Sequence, residues 1–62
     1  MDVIIELIYD IHIGYAEEAD KVGNTEEATI QRKLADFCKN NDVEGYNQFC
    51  KENNINAKIN LL

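Results

Sequence analysis

Sixty-two residues with 12 acidic and 6 basic side chains, a net charge of −6, make one small domain that buries only about 60% of the surface its unfolded form exposes. Two cysteines, one histidine and no serine, proline or tryptophan exclude a dense disulfide framework and leave most hydrolase constellations without their parts. The acidity also opposes non-specific attraction to phosphate backbones and anionic lipid, and a core this small is expected to gain burial by self-association.

Residues 2–22 fit two periods. Val3, Ile5, Leu7, Tyr9, Ile11, Ile13 and Tyr15 alternate as in a half-buried strand. At about 100° per residue, however, Ile4, Leu7, Ile8, Ile11, Tyr15, Ala19 and Val22 share one arc, while Asp2, Glu6, Asp10, Glu17 and Asp20 gather opposite it and Glu18 sits among the apolar positions. The helical pattern continues past Tyr15, and the alternation would need a strand far longer than the usual five or six residues. A first helix is therefore predicted, with a strand over residues 2–13, paired across a dimer, as the alternative.

Gly23-Asn24-Thr25 ends that helix and opens the next: glycine suits a left-handed position after a helix, and Asn24 with Glu27 matches a capping box. The second predicted helix runs to about Asn40, with Ile30, Leu34, Phe37, Cys38 and Asn41 on its inner stripe and Arg32, Lys33, Asp36 and Lys39 outside. Asp42 caps a third, whose Val43, Tyr46, Phe49 and Cys50 share a face despite Gly45 in the first turn. Phe37-Cys38-Lys39-Asn40-Asn41-Asp42-Val43 is echoed, twelve residues on, by Phe49-Cys50-Lys51-Glu52-Asn53-Asn54-Ile55. Two similar helix endings explain this; one turn-and-stop makes no solenoid. Ile55, Ile59 and Leu62 keep helical spacing in a final short helix or docked tail. The fold class is all-α, a small bundle of a long N-terminal helix, two shorter helices and a short C-terminal segment, dimerised through the first helix.

Catalytic and metal chemistry find little material. His12 has no ligand at i±4, and Cys38 and Cys50 lie on different helices at a spacing that matches no zinc signature. The acids around residues 23–25 lack the spacing of a calcium loop. Gly14, Gly23 and Gly45 are isolated and open no phosphate-binding loop. No catalytic residue, metal or cofactor is expected, and the cysteines are expected to be buried, structural thiols. The chain begins Met-Asp and has acids inside its most apolar run, so neither a secretory signal nor a membrane span is expected, and a cytoplasmic location follows.

Binding is what remains. The arc of the first helix is broader than its neighbours can cover, so Ile4, Ile5, Ile8, Ile11 and Tyr15 are assigned to a homodimer interface. Tyr9 and Ile13 fall outside the arc and interrupt the acidic face, so they, with Glu6, Asp10, Glu17 and Asp20, are assigned to a partner. The first 27 residues carry eight acids and one lysine. The expected function is that of a small acidic, non-enzymatic protein that binds and inhibits or modulates a larger protein. The bias towards asparagine, isoleucine and lysine suits an A+T-rich phage or mobile-element source, acting against a host enzyme or defence system. The alternative is a helix-turn-helix-like DNA-binding regulator that presents Tyr46, Asn47, Gln48 and Lys51; the charge makes nucleic acid the less expected partner.

Overall fold

The computed structural model describes residues 2–59. Three helices follow one another, α1 (Val3–Lys21), α2 (Thr25–Lys39) and α3 (Val43–Glu52), with no strand among the described residues. The helical reading of the first segment therefore holds over its strand alternative. The short turn between α1 and α2 folds them into an antiparallel hairpin, as short connections do, and α3 packs on α2.

All three helices start and stop by one scheme. At the N-termini, Asp2, Asn24 and Asp42 each accept a backbone N–H of the first turn, from Ile4 (2.8 Å), Glu27 (3.2 Å) and Gly45 (2.9 Å). At the C-termini, the N–H groups of Asn24, Asp42 and Ile55 reach back to the carbonyls of Ala19, Phe37 and Cys50, each at 2.8 Å, the longer bond of a Schellman motif. The residue just before each donor takes a left-handed conformation: Gly23 at φ 75°, Asn41 at 56° and Asn54 at 55°. The sequence echo thus becomes a repeated helix stop, displaced by thirteen residues rather than twelve, from Asn41 to Asn54. The extra residue puts Ile55 immediately after the stop, where it packs against the core, the apolar contact that such stops favour.

Gly23 allows a clean test. A Cβ there would meet nothing within 4 Å, so alanine changes only the backbone cost of the left-handed state, about 1–2 kcal/mol. Urea unfolding of Gly23→Ala is expected to show that loss, and an unchanged midpoint would mean the turn has no such requirement. Gly45 has a different reason: a Cβ there would run into the Asp42 carboxylate and the Phe37 ring, so α3 approaches α2 as closely as it does only without a side chain.

The core contains Ile5, Leu34, Cys38, Tyr46, Cys50 and Ile59, with Ile8, Tyr9, Ile30, Phe37, Val43, Phe49 and Ile55 packed against it. The other buried apolar side chains, three of them nearer the α1–α2 turn and Ala35 beside Leu34, are small: Ala16, Ala19, Ala28 and Ala35. The broad apolar arc of α1 is thereby divided. The helix turns Ile5, His12, Ala16 and Ala19 inward, whereas Ile4, Leu7, Ile11, Tyr15 and Val22 stay exposed. Alanines win the inner positions because they let two helix backbones approach; larger side chains at the contact would hold the axes further apart.

Beyond α3 the chain forms no fourth helix over the described residues but docks as an irregular tail. The Asn47 side chain donates to the Ile59 carbonyl (3.0 Å) and accepts the Ile59 N–H (2.8 Å), pinning one peptide unit while the Ile59 side chain enters the core. The expected role of Leu62 lies outside the described residues. Among the described residues, no helix is long and apolar enough to cross a membrane.

Candidate functional site

Two features stand out above the packing: a polar relay through the core and an uncovered apolar face on α1.

The relay begins at Tyr46, whose hydroxyl lies 2.7 Å from His12 Nε2, while His12 Nδ1 lies 2.7 Å from Gln31 Oε1. Gln31 in turn donates its Nε2–H to Glu27 Oε1, also at 2.7 Å, and this fixes the amide with its oxygen towards the histidine. An oxygen there can only accept, so Nδ1 carries the proton, and in the Nδ1–H tautomer Nε2 takes the Tyr46 O–H. Every donor then points along one chain, from Tyr46 on α3 through His12 on α1 to Gln31 and the exposed carboxylate of Glu27 on α2. The four groups join three helices, and no buried side-chain nitrogen or oxygen among the described residues lacks a partner.

Tyr46 is only 3% exposed, so the relay has no substrate-accessible end at that hydroxyl. Its role is to make α3 hold α1, which it reaches through this side chain. Burial, with smaller contributions from Cys50 and Cys38, pushes the Tyr46 phenol up to about 12 from an ordinary 10.0. The unfolded chain therefore loses this proton first. The associated stability is fully present below about pH 10 and is lost as pH rises towards 12, up to roughly 2–3 kcal/mol. Tyr46→Phe should lower stability at neutral pH by about 1–3 kcal/mol, because His12 Nε2 is left buried without its donor, and should flatten the alkaline loss. Denaturant titrations at pH 8 and pH 11 check both; equal alkaline slopes in the two proteins would assign the effect elsewhere.

Cys38 and Cys50 are both free and buried, and burial raises both thiols above their ordinary range, the opposite of an activated nucleophile. Among the described residues, no three His, Cys, Asp or Glu side chains converge on a metal-sized site.

The second feature is the outer face of α1. Ile4 is 59%, Leu7 60%, Ile11 45% and Tyr15 58% exposed, and their spacing of three and four residues keeps them on one stripe. Glu6, Asp10 and Glu17 are exposed along one side of it. On the other side a shallow groove of about 430 Å³ is lined by Tyr15, Glu18, Ala19, Val22, Asn24, Glu27 and Gln31. Lys21, the one base on α1, lies 3.9 Å from Glu18.

The assigned residues divide accordingly. Of the dimer set, Ile4, Ile11 and Tyr15 lie on the open stripe, Ile8 is half-buried, and Ile5, 2% exposed, belongs to the protomer's own core. Of the partner set, Glu6, Asp10 and Glu17 are exposed, but Tyr9 and Ile13 are half-buried and Tyr9 packs against the core. Of the pair expected to form an outward hot spot, Tyr9 is thus turned towards the chain's own core and Ile13 is left half-buried, because rotating the alanines inward carries residues 9 and 13 with them. Asp20 is engaged by Arg32, whose hydrogen bond holds its carboxyl below the usual carboxylate range. Of the residues named for DNA contact, Tyr46 is buried and Asn47 is occupied by Ile59, leaving Gln48 and Lys51 exposed. They border a groove of about 920 Å³ between α3 and the tail, with Asp42 and Glu44 beside Lys51 and Lys58 and no converging catalytic set.

Gln31 and Tyr46 were not recognisable as partners of His12, because they stand 19 and 34 residues away and neither breaks its helix pattern. Compared with known proteins, the chain matches no family model, no curated protein and no solved structure.

Proposed function

We propose that this chain is a small, non-enzymatic interaction protein that binds a larger protein and inhibits or modulates it through the outer face of α1. The observation that supports this reading is the stripe of Ile4, Leu7, Ile11 and Tyr15, left in solvent by a protomer that fills its own core with other residues. Contiguous apolar surface of this kind is what interaction sites present. Isoleucine, leucine and tyrosine with acids alongside give a desolvating centre with a charged rim. The A+T-type composition favours a phage or mobile-element source, in which the larger protein belongs to the host.

Site-specific crosslinking in the native host tests the proposal. A benzophenone amino acid in place of Leu7 or Ile11 is expected to trap the same heavier polypeptide, and the same group in place of Lys39, on the exposed end of α2, to trap none of it. Adducts of equal yield from all three positions, or adducts only between copies of this chain, would refute the reading.

A further inference from the structure

We infer that the occupant of the α1 stripe is an amphipathic helix of basic character, an inference that rests on the interaction reading above and adds the chemistry of the partner. The stripe has the shape of a helix seam: Ile4, Leu7, Ile11, Gly14 and Glu18 follow one another at alternating spacings of three and four, the repeat by which one helix meets another. Gly14 is the second observation. It stands in the middle of α1, where glycine weakens a helix, and an added Cβ would meet nothing within 4 Å. Nothing inside the protomer requires it, whereas a helix laid along the seam would pass closest where no side chain intervenes.

Charge selects among occupants. Glu6, Asp10 and Glu17 border the seam on one side and Glu27 of α2 on the other, and Glu18 lies within it, 3.9 Å from Lys21; these five acids outnumber the two bases beside them, Lys21 and Arg32. A second copy in an antiparallel two-fold arrangement would bring the Asp10 and Glu17 flank against itself. A parallel one would bring that flank towards the Glu27 side. Both set like charges across the contact, which opposes association, and an anionic membrane surface is opposed in the same way. A helix with an apolar stripe between lysines or arginines answers both the seam and its two rims.

Three synthetic peptides of about 18 residues, the length of α1 at 1.5 Å per residue, provide the probe. One has leucines at the seam positions and flanking lysines; the second has flanking glutamates; the third keeps the lysines but has glutamine in place of leucine. Calorimetry is expected to show binding of the first alone, about tenfold or more tighter at low salt than at high salt. Backbone amide shifts should centre on residues 4–15. Gly14→Ala should raise the melting temperature by about 4–8 °C while weakening the first peptide several-fold. Equal affinity for the lysine and glutamate peptides, equal affinity without leucines, or shifts centred on α3 would overturn the inference. So would a dimer in light scattering that Ile11→Glu dissociates, because a second copy would then own the seam. If none of the peptides binds while Leu7 and Ile11 still crosslink to a host polypeptide, the basic-helix inference fails and the interaction reading stands.

Discussion

Replacing Leu34 with alanine is expected to bring the chain to the edge of unfolding at 25 °C. Leu34 is 1% exposed and belongs to the buried cluster of Ile5, Cys38, Tyr46, Cys50 and Ile59, so alanine leaves a cavity bounded by all three helices and the tail. Truncations of this kind cost about 2–5 kcal/mol. At roughly 0.05–0.15 kcal/mol per residue, a chain of this length has about 3–9 kcal/mol in total. Circular dichroism against urea should show the midpoint falling by about half or more. A variant with an unchanged midpoint would mean that stability resides elsewhere, for example between protomers.

Leu7→Glu combined with Ile11→Glu is expected to do the opposite: to leave the fold intact and abolish partner binding. Both side chains are exposed, so stability should change by about 0.5 kcal/mol or less for each, as at other surface positions. Burial in a partner is worth roughly 1.5–3 kcal/mol for each such side chain, and a buried unpaired carboxylate adds a further penalty. Loss of at least about a hundredfold in affinity follows. Urea unfolding of the double variant, and its crosslinking yield with the benzophenone amino acid moved to the place of Tyr15 on the same stripe, check the pair. Undiminished capture of the host polypeptide would remove this face from consideration.

The parts of the fold that the sequence discloses are those set by local chemistry. Gly23-Asn24, Asn40-Asn41-Asp42 and the asparagines at 53 and 54 mark helix ends because caps and left-handed stops depend on the residue at the position itself. Helix type was legible too, since the 3.6-residue period persists from Ile4 to Val22 while the alternation does not. The rotation of α1 was not. Apolar bulk places Ile4, Leu7, Ile11 and Tyr15 on one arc without saying which edge of it meets α2, whereas the pairing of α1 with α2 is set by closeness of approach and selects Ala16, Ala19, Ala28 and Ala35. The surplus of apolar residues on α1 was nonetheless readable, and it remains as the open stripe. Ile4, Ile11 and Tyr15, given to an interface by the sequence, lie on it beside Leu7, whereas Ile5 belongs to the chain's own core and Tyr9 packs against it. His12 illustrates the other limit: a lone histidine gives no sign of whether it is solvated or clamped, and its partners Gln31 and Tyr46 are brought to it only by tertiary packing.

The division of α1 into an inner face that holds the protomer together and an outer face free for binding can be measured in one comparison. Ile5→Asp and Ile11→Asp place the same charge on the same helix, six residues apart, and their urea unfolding curves should be recorded together with their masses by light scattering. Ile5 is 2% exposed and Ile11 45%, so Ile5→Asp should be unfolded without denaturant while Ile11→Asp keeps the parent midpoint and mass. Collapse of both variants, or of Ile11→Asp alone, would contradict the account and place the outer face of α1 within the chain's own folding core.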